Sequence, residues 1–397
     1  MKSFLFRPGP AIIITAAFIG PGSLTVCATA GVDFGYELLW AILLSCLITI
    51  FFQNTVAHIS FRSKQGLIEL FNNKLSNSIF KFFFVGWILI TIFIGNSAFE
   101  AGNISGAYIG LKNLIDLSSF NISESIKFYT YIFIALIIIS LIWKENNRLL
   151  KNILLIAVLL MSISFLFAAF LTSPNILELI KGFLIPKWSP EKWGTIVALL
   201  GTTIVPYNLF LHAALVKKDL DKLQISYLRR DTIISVCMGG IISSAIVVAA
   251  SGANINQISS INDLGDSLKN LYGESSQVLV SIGIFAAGIS SAITAPIAAG
   301  FVVEESFIKY SKSKLLKKAT TIFIVTIGLL FSVLDYNPIE LIKSAQIANG
   351  LLLPGVALFI CILCFPKKND SRMIKIRFTG LLLLFIFFII LSLKFLI

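Results

Sequence analysis

The sequence predicts an all-α protein that crosses a membrane many times, and three observations support this fold class. Of its 397 residues, 57% are hydrophobic and only 13% are charged, whereas a soluble chain of this length needs a more charged surface. The mean hydropathy is +0.91, and apolar runs long enough to span a bilayer recur from end to end. Continuous runs such as "YIFIALIIISLIW" also lack the alternation that membrane β-strands require.

Eleven segments are predicted to cross the membrane. If the N-terminus is cytoplasmic, 24 of the 32 Lys and Arg residues fall in cytoplasmic segments. This alternation follows the positive-inside rule, and it predicts a cytoplasmic N-terminus and an external C-terminus. The formal charge of +12 therefore reflects basic residues that set the orientation in the membrane, and nucleic acid is not a predicted partner. The predicted spans are residues 9–31, 38–60, 80–110, 127–143, 149–172, 194–216, 231–251, 276–304, 318–335, 339–365 and 377–396.

The first and sixth spans each contain a break about halfway along. The first breaks at Gly20-Pro21-Gly22, and the sixth breaks at Val205-Pro206-Tyr207. The two spans start on opposite sides of the predicted membrane and lie five helices apart. Paired Gly/Pro interruptions of this kind indicate an inverted-repeat transporter with its site at the midplane. Ordinary proline kinks, which membrane helices tolerate, are the alternative.

No motif in the chain predicts an enzyme or a resident cofactor. The sequence contains no catalytic dyad and no phosphate-binding loop. The five cysteines lie almost wholly in apolar runs. Cys361 and Cys364 have CxxC spacing, but no second pair or nearby histidine completes a metal site. We therefore expect no cofactor, no bound structural metal and no catalytic residues.

Several stretches resemble the NRAMP divalent-metal transporters. They are "GPAIIITAAFIGPGSLTVCATAGVDFGYELLWAILLS", "VPYNLFLHAAL", "FEAGNISGAYIGL" and "AAGISSAITAPIAAG", in helix order and over nearly the whole chain. The resemblance implies a LeuT-type fold, with a 5+5 inverted repeat, discontinuous helices 1 and 6, and one extra helix. It implies a single transmembrane domain, 1–397, with repeats at about 9–172 and 194–365 and the extra helix at about 377–396. The implied activity is alternating access with proton-coupled import of Mn²⁺ or Fe²⁺.

The departures from the family fall on the residues that hold its metal. Where the family has Asp and Asn on the first helix and Met on the sixth, this chain has Gly20, Ser23 and Val205. A dehydrated divalent ion needs anionic oxygen, and a thioether adds selectivity for softer transition metals. The family's transition-metal site is therefore predicted to be lost.

Proton coupling is also predicted to differ. Tyr207 stands where the family has a histidine, Asn103 aligns with its acidic residue on the third helix, and its basic residue on the ninth helix has no counterpart. Glu100, about one turn before Asn103, and His212 are the predicted proton-pathway residues, because intramembrane ionisable groups are functional candidates. A structural hydrogen bond in the bundle is the alternative for each.

The resulting prediction is a secondary transporter that moves a small uncharged or zwitterionic solute. The alternatives are a divalent cation transporter, for hydrated Mg²⁺ before Mn²⁺ or Fe²⁺, and a non-transporting receptor or scaffold. The expected setting is a bacterial cell membrane, and the expected partners are the substrate, the lipid bilayer and possible coupling protons, with the chain as a monomer. The predicted substrate-binding residues are Gly20, Ser23, Thr202, Val205, Tyr207, Asn208 and Gln346.

Overall fold

The computed structural model describes residues 19–75, 78–117, 124–143, 148–220, 224–253, 257–266, 268, 273, 275–308, 312–334, 337–366 and 372–396. Every regular element in these ranges is helical. The helices are α1 (Pro21–Phe34), α2 (Leu39–Ser63), α3 (Leu67–Lys74), α4 (Ser78–Leu117), α5 (Glu124–Trp143), α6 (Arg148–Leu171), α7 (Ile176–Leu184), α8 (Trp193–Thr203), α9 (Pro206–Lys218), α10 (Ile225–Ser251), α11 (Ile261–Asp266), α12 (Ser275–Ser306), α13 (Ser313–Val333), α14 (Pro338–Leu363) and α15 (Arg372–Leu396).

Nine segments of the described chain are long and apolar enough to cross a membrane, with α8 and α9 counted together as Pro190–Lys218. The helix α6 adds a shorter apolar stretch, Ile156–Leu171. The helix α1 is the second half of the first predicted span, whose residues 9–18 lie outside the described residues. The prediction of an all-α polytopic membrane protein is confirmed, while the count of eleven spans stays a prediction.

Several helices extend beyond the spans that hydropathy predicts. The helix α4 runs over Ser78–Leu117 rather than 80–110, and α10 begins at Ile225 rather than at residue 231. The added turn of α10 contains Arg229 and Arg230, which hydropathy excludes from a span. A helix can continue into the polar interface because its backbone hydrogen bonds remain internal there while its charged side chains reach water.

Contacts between loops support the predicted alternation of sides. On the predicted external side, Glu37 forms ion pairs of 2.6 Å with both Lys187 and Lys192. On the predicted cytoplasmic side, Lys217 pairs with Glu69 at 2.6 Å. Each pair joins loops that the predicted topology assigns to the same side. The contacts do not say which side faces the cytoplasm, so that orientation stays a prediction.

The spanning helices pack in two groups. The first group contains α1, α2, α8–α9 and α10, and the second contains α4, α5, α12 and α13. The helices α6 and α14 contact both groups, and α15 packs on α14 and α8. Much of α15 is exposed, as expected for an extra helix at the lipid-facing periphery. The division of the sequence into two repeats stays a prediction.

Three tryptophans form a cluster at the predicted external end of the first group. The ring centroids of Trp40 and Trp188 are 4.3 Å apart, and those of Trp188 and Trp193 are 5.2 Å apart. The short helix α7 precedes this cluster, and its Gly182 packs against the backbone of Tyr36. Aromatic side chains favour the membrane–water interface, so the cluster marks the level at which the bundle leaves the hydrocarbon.

The Glu37 ion pairs give a testable pH dependence. The hydrogen bond from Lys187, followed by that from Lys192, lowers the pKa of Glu37 below its usual value. A lowered carboxylate pKa contributes stability above about pH 4.3, which is lost as the pH falls through the lowered pKa. We expect Glu37→Gln to reduce the free energy of unfolding at pH 7 by less than about 1 kcal/mol, because the ion pairs are solvent-exposed. The melting temperature should therefore fall only slightly. The melting temperatures of the native chain and Glu37→Gln should converge as the pH falls from 7 to 3. A difference between them that grows at low pH would contradict this prediction.

Candidate substrate site at the broken helices

The first break lies at the start of α1. Gly20 has extended backbone angles, φ −122° and ψ −173°, and the helix begins at Pro21, where a missing N–H costs nothing. The backbone N–H of Gly20 donates to the Ser23 hydroxyl oxygen at 3.0 Å, and that hydroxyl lies 3.1 Å from the Gly20 carbonyl oxygen. The predicted site residues Gly20 and Ser23 are therefore buried together, with the Ser23 hydroxyl engaged at the helix start.

The second break separates α8 from α9. The helix α8 ends at Thr203, and Ile204 (φ −94°, ψ 58°) and Val205 (φ −67°, ψ 122°) leave the helical conformation before Pro206 starts α9. The Asn208 N–H donates to the Val205 carbonyl at 3.1 Å. Thr202, Val205, Tyr207 and Asn208 are all buried around this gap. The described backbone thus contains the sixth-span interruption that the sequence predicts.

Gln346 on α14 lies between the two breaks. A side chain on Gly22 would overlap the Gln346 amide, and one on Gly201 in α8 would overlap the Gln346 carbonyl. Gln346 itself is 1% exposed. The glycines at 22 and 201 allow this approach because they have no Cβ. The structure therefore brings Gln346 together with both broken spans.

The helix α4 forms another wall of this region. A side chain on its Gly106 would overlap Pro21. Phe99 packs edge-on against Tyr207 with 5.3 Å between ring centroids. Glu100 follows Phe99 in the sequence, and Asn103 is its polar neighbour on the same helix. The Phe99–Tyr207 contact therefore places the predicted proton-pathway residue Glu100 on the turn of α4 that packs against Tyr207.

Glu100 also contacts α13. A Cβ on Gly328 would lie 2.5 Å from Cγ of Glu100, so the carboxylate stem occupies the space above that glycine. Glu100 is fully buried. A buried carboxylate without a partner is costly when ionised. Gly328, the α13 residue below the Glu100 stem, supplies neither a cation nor a hydrogen-bond donor side chain.

Six buried side chains around the breaks carry polar atoms without a hydrogen-bond partner among the described residues. All six are 2% exposed or less. Buried polar groups in folded proteins are almost always paired, so such a concentration indicates a place for water or a polar ligand. The atoms are both carboxylate oxygens of Glu100, Nδ2 of Asn103, the hydroxyl of Tyr207, both amide atoms of Asn208, Oε1 of Gln346 and both amide atoms of Asn349.

His212 lies apart from this concentration, further along α9. Its Nδ1 forms a hydrogen bond with Oε1 of Gln53 on α2, and its Nε2 has no partner in the described part of the chain. No hydrogen bond between described residues joins His212 to Glu100. The structure therefore gives His212 a structural contact, and a proton pathway through both residues stays a prediction.

The sequence did not single out Asn349 as a site residue. Polar side chains in apolar spans commonly join helices by hydrogen bonds, and Asn96 does so, because its Nδ2 donates to the Ala295 carbonyl at 2.8 Å. Asn349 has no hydrogen-bond partner in the part of the chain that the structure describes, and it lies one turn beyond Gln346 on α14. The signal was present in the spacing, because two amides at i and i+3 share a helix face.

The described residues contain no group of three His, Cys, Asp or Glu side chains arranged to hold a metal ion. Glu100 is the carboxylate that the contacts place beside the breaks. The region therefore offers neutral hydroxyl and amide groups, two helix starts and one acid. Such a set can bind a small polar molecule by hydrogen bonds, and it lacks the multiple anionic ligands typical of a dehydrated transition metal.

A cavity of about 510 Å³ lies elsewhere, between α4, α13 and α14. Its walls are mainly apolar, and they include Phe93, Phe323 and Phe331 as well as the small residues Ala101 and Ala345. Ala101 and Ala345 directly adjoin Glu100 and Gln346 in the sequence. None of the predicted site residues lines this cavity.

Comparison with known proteins gives matches over nearly the whole chain. The family model for Nramp, "Natural resistance-associated macrophage protein-like", matches residues 11–397. A natural resistance-associated macrophage protein 2 homolog of Dictyostelium discoideum is 26% identical over 370 residues, which cover 89% of this chain and 56% of that protein. A divalent metal cation transporter MntH of Staphylococcus saprophyticus is 25% identical, over 94% of this chain and 85% of that protein.

Solved structures show the same fold. The manganese transporter of Eremococcus coleocola superposes with a TM-score of 0.74 at 20% identity, covering 100% of this chain and 86% of that one. The structure of MhsT in complex with L-phenylalanine superposes with a TM-score of 0.63 at 14% identity, over 98% of this chain and 99% of that one. At these identities the likeness concerns the fold, and it confirms the predicted LeuT-type architecture.

Proposed function

This chain belongs to the Nramp family of membrane transporters, and from that premise we propose that it is a secondary transporter for a small uncharged or zwitterionic solute. It would work by alternating access, with its substrate held between the broken spans. The observation that carries the proposal is the neutral chemistry at both breaks. Gly20 offers no carboxylate, Val205 offers no sulfur, and the Ser23 hydroxyl is bonded to Gly20.

The energetics of ion binding favour a solute over a bare divalent cation. A dehydrated divalent ion at the membrane midplane must exchange its water shell for protein oxygens, and it requires nearby negative charge. The broken segments themselves supply none. Neutral amides and hydroxyls exchange hydrogen bonds with a neutral polar solute at far lower desolvation cost.

The unpartnered groups suit a molecule with polar groups at both ends. The N-terminal ends of α1 and α9 begin at the breaks, and such ends favour a carboxylate. Glu100, beside Tyr207, would favour an ammonium group. The amides of Asn208 and Gln346 would position the rest of the solute. This arrangement supports a zwitterion within the proposed class.

A divalent cation is the second candidate, and one observation favours it. Both oxygens of Glu100 are buried without a partner in the described chain, so the residue has coordination capacity. The relative from S. saprophyticus is named as a divalent metal cation transporter. Hydrated Mg²⁺, which keeps several waters and needs few direct ligands, fits one carboxylate better than Mn²⁺ or Fe²⁺ does.

We further propose that Glu100 carries the coupling proton. It is fully buried and lies on the turn of α4 that packs against Tyr207. The α13 residue in contact with it is Gly328, which has no basic side chain. A carboxyl group that is neutral in one state and ionised in another couples proton movement to the substrate's charge. His212, held by Gln53, would assist by positioning α9 against α2.

Uptake into liposomes tests the substrate class. We expect proton-gradient-dependent uptake of one or more zwitterionic amino acids, small amides or polyols, and no saturable uptake of Mn²⁺. The Asn208→Leu variant should lose at least about tenfold in kcat/KM, equivalent to about 1.4 kcal/mol, because it removes a hydrogen-bonding amide from the site. Asn113→Leu is the matched control, since Asn113 lies on α4 with its amide bonded to Ser281 at 2.7 Å.

Two results of these experiments would contradict the proposal. Saturable Mn²⁺ or Mg²⁺ uptake that Glu100→Gln abolishes, together with no organic substrate, would replace the proposed solute with a cation. Equal losses in Asn208→Leu and Asn113→Leu would remove Asn208 from the site.

A further inference from the structure

The short helix α3 packs against several other helices on the predicted cytoplasmic side. It lies between α2 and α4, and its apolar residues Leu67, Ile68 and Phe71 are buried. The Phe71 ring packs against Phe84 and Phe359, with centroids 5.1 and 5.3 Å away. A connecting helix of eight residues that buries this face is an integral part of the packed core rather than a loose loop.

Glu305, near the end of α12, holds the start of α3. Its Oε2 accepts a hydrogen bond from the Ile68 N–H at 3.2 Å, and it is only 8% exposed. A side chain on Gly66 would overlap this carboxylate. A negative group at a helix start satisfies N–H groups that lack helical partners and interacts well with the helix dipole. The α3–α12 contact is therefore buried and tight.

Two other contacts tie α3 to α9 and α14. Oε2 of Glu69 pairs with Nζ of Lys217, in the last turn of α9, at 2.6 Å. These side chains are 20% and 31% exposed, respectively. Lys74 donates to the Leu363 carbonyl at the end of α14 at 2.7 Å. The helix α3 thus contacts the second helix group through α12, the first group through α9, and α14.

We propose that α3 is a latch that closes the predicted cytoplasmic path, and that it opens at the Glu69–Lys217 pair. This inference depends on alternating access, as set out in the proposed function. The helix α9 runs from the second break to Lys217 and packs against α12. Under alternating access, these two helices separate when the cytoplasmic path opens. Because α3 is bonded to both, one of its two connections must break first.

The burial of the two connections decides which one breaks. Removing the N–H groups of α3 from Glu305 would leave a buried carboxylate without its partner, which is costly. Separating Glu69 from Lys217 costs less, because these two side chains are partly exposed and can reach water. The helix α3 therefore moves with α12 and the second group. The two groups separate on this side between Glu69 and Lys217.

Sided cysteine labelling tests the latch without any knowledge of the substrate. The reporter is Val205→Cys, at the second break, in a chain whose five native cysteines are replaced by alanine. A membrane-impermeant methanethiosulfonate reagent is applied to inside-out and right-side-out vesicles. We expect Lys217→Gln to raise the labelling rate from the cytoplasmic side by up to about fivefold, as an ion pair of this exposure allows.

Two further variants sharpen the test. Lys218→Gln, which removes the exposed neighbouring lysine, should leave the rate unchanged. The exchange Glu69→Lys with Lys217→Glu restores the pair and should return the rate to that of the reporter chain. The latch is overturned if Lys217→Gln labels like the parent, if Lys218→Gln matches Lys217→Gln, or if the exchange fails to restore slow labelling. Absence of solute uptake alongside the expected labelling would contradict the proposed substrate and leave the latch standing.

Discussion

Replacing Gly20 with Asp, Ser23 with Asn and Val205 with Met together is expected to give this protein a measurable affinity for Mn²⁺. Gly20 and Val205 lie in the two helix breaks, and the contacts of Gln346 join those breaks. The Asp would supply anionic oxygen and the Met a thioether, the ligand types that hold borderline divalent ions. A change from millimolar to micromolar dissociation is about 4 kcal/mol, and calorimetry on the purified protein would resolve it.

The single variant Val205→Met is the control for this experiment. It adds the thioether without the carboxylate, so it should leave Mn²⁺ binding near that of the native chain. Mg²⁺ should gain less affinity than Mn²⁺ in the triple variant, because a thioether is a poor ligand for a hard ion. A folded triple variant without Mn²⁺ affinity would show that the three positions do not account for the site's chemistry.

Replacing Gly201 with Ala is expected to destabilise the fold strongly. Its Cβ would overlap the backbone carbonyl of Gln346 and the backbone of Gly350, so α8 and α14 would have to move apart. Backbone cannot swing aside as a flexible side chain can, and overpacking of this kind costs about 1–3 kcal/mol or more. Thermal unfolding in detergent should show a clearly lower melting temperature, together with reduced solute uptake.

Gly194→Ala is the matched control on the same helix. Its Cβ would meet only a ring carbon of Phe395 at 3.6 Å, an ordinary contact distance. Alanine is also the better helix former by about 1 kcal/mol, so this variant should be neutral or slightly stabilised. Similar melting temperatures for Gly201→Ala and Gly194→Ala would mean that α8 and α14 are not in tight contact.

The fold was predictable because its determinants are local. A run of apolar residues predicts each span, and a proline beside a glycine or at a helix start predicts each break. The ends of the helices were less predictable, since α10 continues through Arg229 and Arg230 into the interface. Hydropathy measures affinity for hydrocarbon, whereas a helix ends where its hydrogen bonding stops.

The site was predictable only in part, because its contacts join residues far apart in sequence. The positions at the breaks could be named, but the approach of Gln346 to Gly22 and Gly201 depends on how α14 crosses both spans. Asn349 looked like any interhelical amide until its neighbours were known. Glu305 gave no motif at all, since its partner Ile68 is 237 residues away in the chain. Pairings of this kind follow from packing, which a single sequence does not encode position by position.

The tryptophan cluster at the predicted external end has a spectroscopic consequence. Three of the five tryptophans in the chain form this cluster, in which the Trp188 ring packs at a tilt against both Trp40, at 4.3 Å, and Trp193, at 5.2 Å. Indoles this close couple electronically, so the cluster should produce a near-ultraviolet circular dichroism signal of its own. Trp87, which packs against Phe84, and Trp143 lie outside the cluster and supply the background signal. The protein therefore contains an intrinsic optical probe confined to one of its two faces, which can follow changes there without an added label.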